Sequence, residues 1–221
     1  MNIDLIIQET KLGEHKCPLH GDKHLMKFAL QTVNKSKHFI ETGTFHAETL
    51  KFIATSFPDK NCYSCEPNPN HLKWSMENVK DLKNVTLSNN VSPNFLYQLK
   101  SNEDCKKDDI CTFLLDAHGY GYAWPLRLEV EFITSTYEKF YIFIDDFYNP
   151  FVEMNYDQYD GQVCSYSYIR NVIENKDNCD IYYPIYKEKT SCCHPLVGWC
   201  MITNQREVEF DEALIKKICC T

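Results

Sequence analysis

Four short segments carry side chains able to bind or activate a polar ligand. They are Glu41-Thr42-Gly43-Thr44-Phe45-His46-Ala47, Cys65-Glu66-Pro67, Asp116-Ala117-His118 and Asp145-Asp146. A glycine such as Gly43, set just after an apolar run, lets backbone approach a ligand, and a helix N-terminus beyond it can meet negative charge. Glu66 follows that turn at a spacing of ~20–25 residues, which suits a carboxylate that accepts hydrogen bonds from ribose hydroxyls. The glycine pattern is not G-x-G-x-x-G, so a nicotinamide or flavin fingerprint is absent. Plainer readings stand beside these. Asp145-Asp146 also suits a turn cap, His118 a histidine bonded to backbone, and Glu66 an ordinary surface carboxylate.

The elements that must position these groups follow from periodicity. Strands are expected at 37–41, 61–66, 85–87, 111–115 and 140–144. Helical spacing occupies 24–33, 46–56, 71–82, 94–99 and 125–134, for example through Leu126, Val130 and Ile133. Strands alternating with helices imply right-handed βαβ units, and near-continuous apolar strands imply a sheet covered on both faces. In such a sheet ligands bind at the carboxyl ends of the strands, so the four segments can face one crevice. Residues 148–165 read as a long loop over that crevice, 165–174 as a helix, 180–186 and 196–203 as a closing antiparallel hairpin at a sheet edge, and 210–219 as a short helix. The expected fold is α/β: a Rossmann-like, doubly wound, mostly parallel seven-stranded sheet with an antiparallel C-terminal hairpin. It would form a single domain over 1–221, with an N-terminal helical, substrate-side segment at 1–35, a cofactor-binding core at 36–150 and an acceptor loop at 148–165.

Composition narrows the function classes. The 221 residues carry a formal net charge of -8. That disfavours nucleic-acid binding through phosphate neutralisation and gives no attraction to anionic membranes. No apolar run is long enough to span a bilayer, and the first residues lack the basic start and apolar core of a secretory signal. A soluble, cytoplasmic protein is the expectation. Of the 12 cysteines, Cys62, Cys65, Cys111 and Cys200 sit in apolar runs and read as reduced, buried residues. Cys62 and Cys65 would point to opposite faces of one strand. The adjacent pairs Cys192-Cys193 and Cys219-Cys220 read as incidental. The cluster His15, Cys17, His20 and His24 contains one pair at ligand spacing but lacks a second. It reads first as a solvated loop, next as part of the pocket wall, and least as a zinc site. Tyr120, Tyr122 and Trp124 follow His118, and Tyr148, Tyr156 and Tyr159 follow the Asp pair. Such rings suit the apolar faces of a sugar, and equally a packed lid or a dimer contact.

Residues 39–44 resemble the first motif of class I S-adenosylmethionine-dependent methyltransferases, and Cys65-Glu66-Pro67 their second. Leu114-Leu115-Asp116-Ala117-His118 with Ile144-Asp145-Asp146-Phe147 resembles the small metal-dependent sugar O-methyltransferases of the macrocin O-methyltransferase type. The resemblance covers about residues 36–150. It departs at Ala47, where the family has a later glycine, and at His118, where relatives commonly carry a carboxylate. The resemblance implies S-adenosylmethionine as cofactor. Glu41 would meet its methionine amine, Gly43, Thr44 and Phe45 would line it, Glu66 and Pro67 would hold the ribose side, and Asn89 and Asn90 would flank the adenine. Asp116, itself beside the cofactor, would join Asp145 and Asp146 around one divalent cation, and three carboxylates favour Mg²⁺ or Mn²⁺. The cation would lower the pKa of an acceptor hydroxyl, and the His118 imidazole would take its proton as general base, with Asp116 as its catalytic neighbour. The implied acceptor is a sugar hydroxyl, for example a deoxysugar such as rhamnose in a glycan, with a homodimer permitted. Two alternatives stay open: a phenolic or other small natural product as acceptor, and a non-catalytic cofactor-binding scaffold.

Overall fold

The computed structural model describes residues 2–12, 17–119, 121, 124–174, 179–188, 195–206 and 210–219. Of the residues singled out above, His15, Tyr120, Tyr122, Cys192, Cys193 and Cys220 lie outside these. Among the described residues no helix is long and apolar enough to cross a membrane.

The chain opens with helix α1 (Ile3–Glu9) and helix α2 (Lys23–Lys35). Asp22 caps α2 by accepting hydrogen bonds from the amides of His24 and Leu25. Strand β1 (His38–Thr42) follows, then helix α3 (Glu48–Ser56), β2 (Asn61–Cys65), α4 (Pro69–Val79), β3 (Val85–Ser88), α5 (Ser92–Leu99), β4 (Ile110–Leu115), α6 (Leu126–Thr136) and β5 (Lys139–Ile144). Asn68 caps α4, and prolines at the first turns of α4 and α5 fill positions where a missing amide costs no helical bond. A short hairpin, β6 (Gln158–Tyr159) and β7 (Gln162–Val163), precedes α7 (Tyr166–Ile173), and β8 (Asp180–Pro184), β9 (Cys200–Thr203) and β10 (Ile215–Cys219) close the chain.

Among the described residues, eight strands form one sheet in the order β10-β8-β9-β5-β4-β1-β2-β3. From β3 to β5 neighbouring strands are parallel, whereas β9, β8 and β10 join antiparallel. Every residue of β1 is buried, and the period of two splits the core into two layers. Ile40, Phe113, Leu115, Ile142 and Ile144 pack with α5, α6 and α7 on one face. Phe39, Leu114, Tyr141 and Phe143 pack with α2 and α3 on the other. Cys65 and Cys62 fall into these two layers respectively. Cys62, Cys65, Cys111 and Cys200 are buried and outside any disulfide.

Three expectations need correction. The sheet has eight strands, one more than expected, because residues 215–219 form β10 rather than part of a helix. As an edge strand, β10 gains from pairing with β8 along its whole length, and Lys217 finds a partner there, its Nζ 2.7 Å from Asp180. The hairpin of β8 and β9 consequently sits inside the sheet and not at its edge. Finally, residues 148–165 are not wholly irregular. Asp160 and Gly161 take φ of +50° and +78°, the left-handed pair that a tight hairpin turn requires.

Candidate active site

The register of the sheet builds the site. Thr42 stands opposite both Cys65 and Leu115, and Leu115 stands opposite Ile144. The next residues of the four strands, Gly43, Glu66, Asp116 and Asp145, therefore emerge side by side at the carboxyl edge. β1 pairs with β2 on one side and β4 on the other, so the chain diverges here, as at the switch points where open α/β sheets bind ligands.

Gly43 holds φ +86°, and a Cβ there would lie 2.4 Å from the Asp116 carbonyl oxygen. Glycine thus serves a close approach between two strand ends as well as the turn itself. Ala47 takes the left-handed φ of +62° at the start of α3 with its methyl fully buried, so the departure from glycine is packed, at a conformational cost of about 1 kcal/mol.

The cavity at this edge has two lobes that share His20, Gly43, Phe45 and Asp116. One, of about 510 Å³, is lined by Glu66, Pro67, Val91, Ser92, His118 and Asp146. The other, of about 430 Å³, reaches Glu41, Thr44 and Asp145 beneath residues 17–20. Glu66 is buried; Oε2 accepts from the Phe45 amide and Oε1 from the Asn68 amide, both at 2.9 Å. Each oxygen keeps a further lone pair for a ligand hydroxyl. Glu41 is also buried, accepts from Ser64 Oγ at 2.8 Å, and is pushed up to about 8, chiefly by burial. Thr44 Oγ1 bonds the same Ser64 hydroxyl. Asn89 donates to the carbonyls of Glu66 and Pro67, and Asn90 to Gln98, so both shape the turn while Val91 and Ser92 provide the wall beside it.

The acidic end is electrostatically loaded. Asp116 is raised well above the usual carboxylate range by burial and by the charges of Asp145 and Asp146. Asp146, turned inward by a left-handed backbone at φ +51°, is raised to about 7 by burial first and Asp145 next. Asp145 is buried and its Oδ1 has no hydrogen-bond partner. Gly198 braces this corner: its carbonyl accepts from the Phe147 amide, and a Cβ on it would meet the Phe147 carbonyl at 2.2 Å. An acid-rich donor set with an orphaned buried oxygen fits a bound cation, which needs oxygen ligands.

His20 departs from its first reading, a solvated loop, and lies in the pocket wall, its second. Its segment is no solvated loop: Pro18, Leu19 and Gly21 are buried, and His20 Nε2 lies 2.6 Å from Asp145 Oδ2. That contact raises the His20 imidazole to about 10 through the Asp145 charge, against the opposing effect of burial. One ligand atom each of His20, Asp145 and Asp146 lies within 4.8 Å of the others. The tightest grouping among the described residues therefore takes His20 where Asp116 was expected; Asp116 stands beside it. The only signal in the sequence was the Cys17-x-x-His20 spacing.

His118 is exposed at the mouth of the larger lobe, its ring centroid 6.4 Å from that of Tyr159. Tyr159 also packs edge-on against Trp124, so the β6–β7 hairpin forms a wall next to His118. Tyr148 and Tyr156 instead line a separate apolar cavity of about 570 Å³ with Tyr166 and Tyr183.

No family model matches the sequence, and no curated protein does. Solved structures match over most of the chain. The O-methyltransferase of Bacillus cereus, solved with S-adenosylhomocysteine, is 13% identical, with 90% of this chain and 87% of that one covered at a TM-score of 0.61. TomG of Streptomyces achromogenes, an O-methyltransferase of tomaymycin synthesis solved with S-adenosylmethionine, is 12% identical, covering 79% and 75% at 0.58. The fold is the α/β Rossmann-like methyltransferase fold. Within that likeness the precorrin-6y C5,15-methyltransferase of Geobacter metallireducens matches too, at 12% identity, 89% and 93% coverage and a TM-score of 0.51. Its very different acceptor means that acceptor choice has to be argued from the site alone.

Proposed function

We propose that the chain is an S-adenosylmethionine-dependent O-methyltransferase that methylates a sugar hydroxyl with the help of a divalent cation. The observation that carries the reading is the alignment of Gly43, Glu66, Asp116 and Asp145 at one edge of a methyltransferase-type sheet. Glu66 accepts hydrogen bonds from the cofactor ribose, with Pro67 beside it. Glu41 meets the methionine ammonium, and the incoming positive charge offsets the burial that otherwise keeps this carboxyl protonated to about 8. Asp116, Asp145 and Asp146 would hold the cation. A cation bound there lowers the pKa of the acceptor hydroxyl. His118 would take the hydroxyl proton; the cofactor, when bound, would supply an activated methyl group, transferred to the acceptor oxygen as the carbon–sulfur bond breaks, which would leave neutral S-adenosylhomocysteine. Trp124 and Tyr159 supply an aromatic wall beside His118 that suits the apolar face of a sugar.

The test is calorimetric titration with S-adenosylhomocysteine, followed by radiolabelled methyl transfer to a panel of sugars, catechols and no acceptor. Wild type should bind the product and Glu66→Ala should bind it far more weakly. Transfer to catechols but not sugars would move the acceptor to the phenolic class. Absence of product binding would overturn the methyltransferase reading.

A further inference from the structure

The acidic corner receives one nitrogen donor from outside the sheet, and the chain adopts an unfavourable backbone to deliver it. Leu19, His20 and Gly21 take φ of +48°, +55° and +75° in succession. For the two side-chain-bearing residues this is strained backbone. Backbone outliers of this kind persist only where their surroundings over-determine them. Here the Leu19 amide donates to Thr49 Oγ1 at 3.0 Å. Just beyond the turn, buried Asp22 accepts from the Tyr186 hydroxyl, which accepts in turn from Trp199 Nε1 at 2.9 Å. The turn is thus clamped to α3 on one side and to Tyr186 and Trp199, which flank β8 and β9, on the other, with His20 held against Asp145 from 125 positions away in sequence.

A plain ion pair explains this poorly. One imidazole contacts Asp145 Oδ2, yet Asp145 Oδ1 stays buried without a partner, and Asp116 and Asp146 stand beside it as further acids. A group that binds several of these atoms together would satisfy what His20 alone leaves over. We propose that His20 is itself a ligand of the cation site, supplying imidazole nitrogen beside the oxygens of Asp145 and Asp146. This rests on the reading, given above, that the site holds a divalent cation. An all-carboxylate site suits Mg²⁺, whereas an imidazole ligand shifts preference towards Mn²⁺, Fe²⁺ or Co²⁺. Metal binding through His20 would also fasten residues 17–22 to the strand ends.

The test uses the full chain, stripped with chelator and titrated calorimetrically with MnCl₂ and with MgCl₂. Electron spin-echo spectroscopy of the Mn²⁺ form reads nitrogen coordination directly. Mn²⁺ should bind at least about tenfold more tightly than Mg²⁺, and the echo should carry nitrogen modulation. His20→Ala should lose the modulation and about tenfold or more of the Mn²⁺ affinity, while His118→Ala keeps the modulation. Should His20→Ala fail to fold, the wild-type and His118→Ala spectra still decide. Mn²⁺ bound without nitrogen modulation, or modulation that disappears only in His118→Ala, overturns the His20 assignment and leaves the acidic cation site standing. No bound Mn²⁺ or Mg²⁺ overturns both, while product binding in the same metal-free chain would leave the methyltransferase reading intact.

Discussion

Replacing Gly43 by alanine separates two costs that usually come together. The first is conformational: at φ +86° an alanine is strained wherever it stands, by about 1–2 kcal/mol. The second is steric. The new Cβ would lie 2.4 Å from the Asp116 carbonyl oxygen, about 1 Å inside the 3.4 Å at which ordinary contact begins. The obstacle is backbone just beyond β4, tied by the Asp116 amide to the Thr42 carbonyl and continuing a strand paired on both sides by β1 and β5, so it has little room to retreat. Overpacking of this kind costs about 1–3 kcal/mol. Together Gly43→Ala should lose about 2–5 kcal/mol, or roughly 4–20 °C in Tm for a chain of this size. Gly161 is the internal control. Its φ is +78°, but nothing lies within 4 Å of its would-be Cβ, so Gly161→Ala should lose only the conformational part, about 1–2 kcal/mol. Urea denaturation of both variants gives the comparison, provided the slope with denaturant is unchanged. Because the movement falls on Asp116, Gly43→Ala should also weaken S-adenosylhomocysteine binding, and Gly161→Ala should not. Equal stability losses would refute the claim that Gly43 is needed for the approach of two strand ends rather than for its turn alone.

Further expectations follow from the same geometry. Glu66→Gln should weaken S-adenosylhomocysteine binding by about tenfold or more in calorimetry, since the amide nitrogen it introduces faces either the Phe45 or the Asn68 amide and a buried bond worth about 1–3 kcal/mol is lost. Tyr186→Phe should destabilise the chain by about 1–3 kcal/mol in urea, because Asp22 and Trp199 lose a shared buried partner. In chelator, stability should fall between about pH 4 and pH 7. Asp146 stays protonated in the folded chain up to about 7 but ionises near 3.8 when unfolded, so folding binds a proton in that window. The His20 contribution acts elsewhere: it is fully present below 6.5 and lost only as pH rises towards about 10. Asp146→Asn should therefore flatten the fall between pH 4.5 and 7.5, seen as a smaller shift in urea midpoint.

Local sequence determined a good deal. The apolar runs around Phe39, Phe113 and Tyr141 could only be strands covered on both faces, and the helical spacings between them forced parallel crossovers. Once the strands are parallel, the polar residues that end them must share an edge, so Gly43, Glu66, Asp116 and Asp145 were legible as one crevice. Cys62 and Cys65 were legible as core for the same reason of period. The Asp160-Gly161 turn was missed: the dipeptide favours left-handed backbone, but the residues around it carry no strand period to mark a hairpin.

Tertiary structure decided the rest, wherever the cause of a conformation lies far along the chain. Residues 215–219 form a strand because β8 offers an open edge, not because their own pattern demands one. Val91 and Ser92 line the cavity while Asn89 turns back to the Glu66 and Pro67 carbonyls, a choice of side-chain direction that spacing does not contain. Above all, His20 reaches Asp145 across 125 positions through left-handed backbone that neither Leu19 nor His20 prefers. Local propensity argues against that turn. Only the buried clamp of Asp22, Tyr186 and Trp199, assembled from both ends of the folded chain, holds it in place.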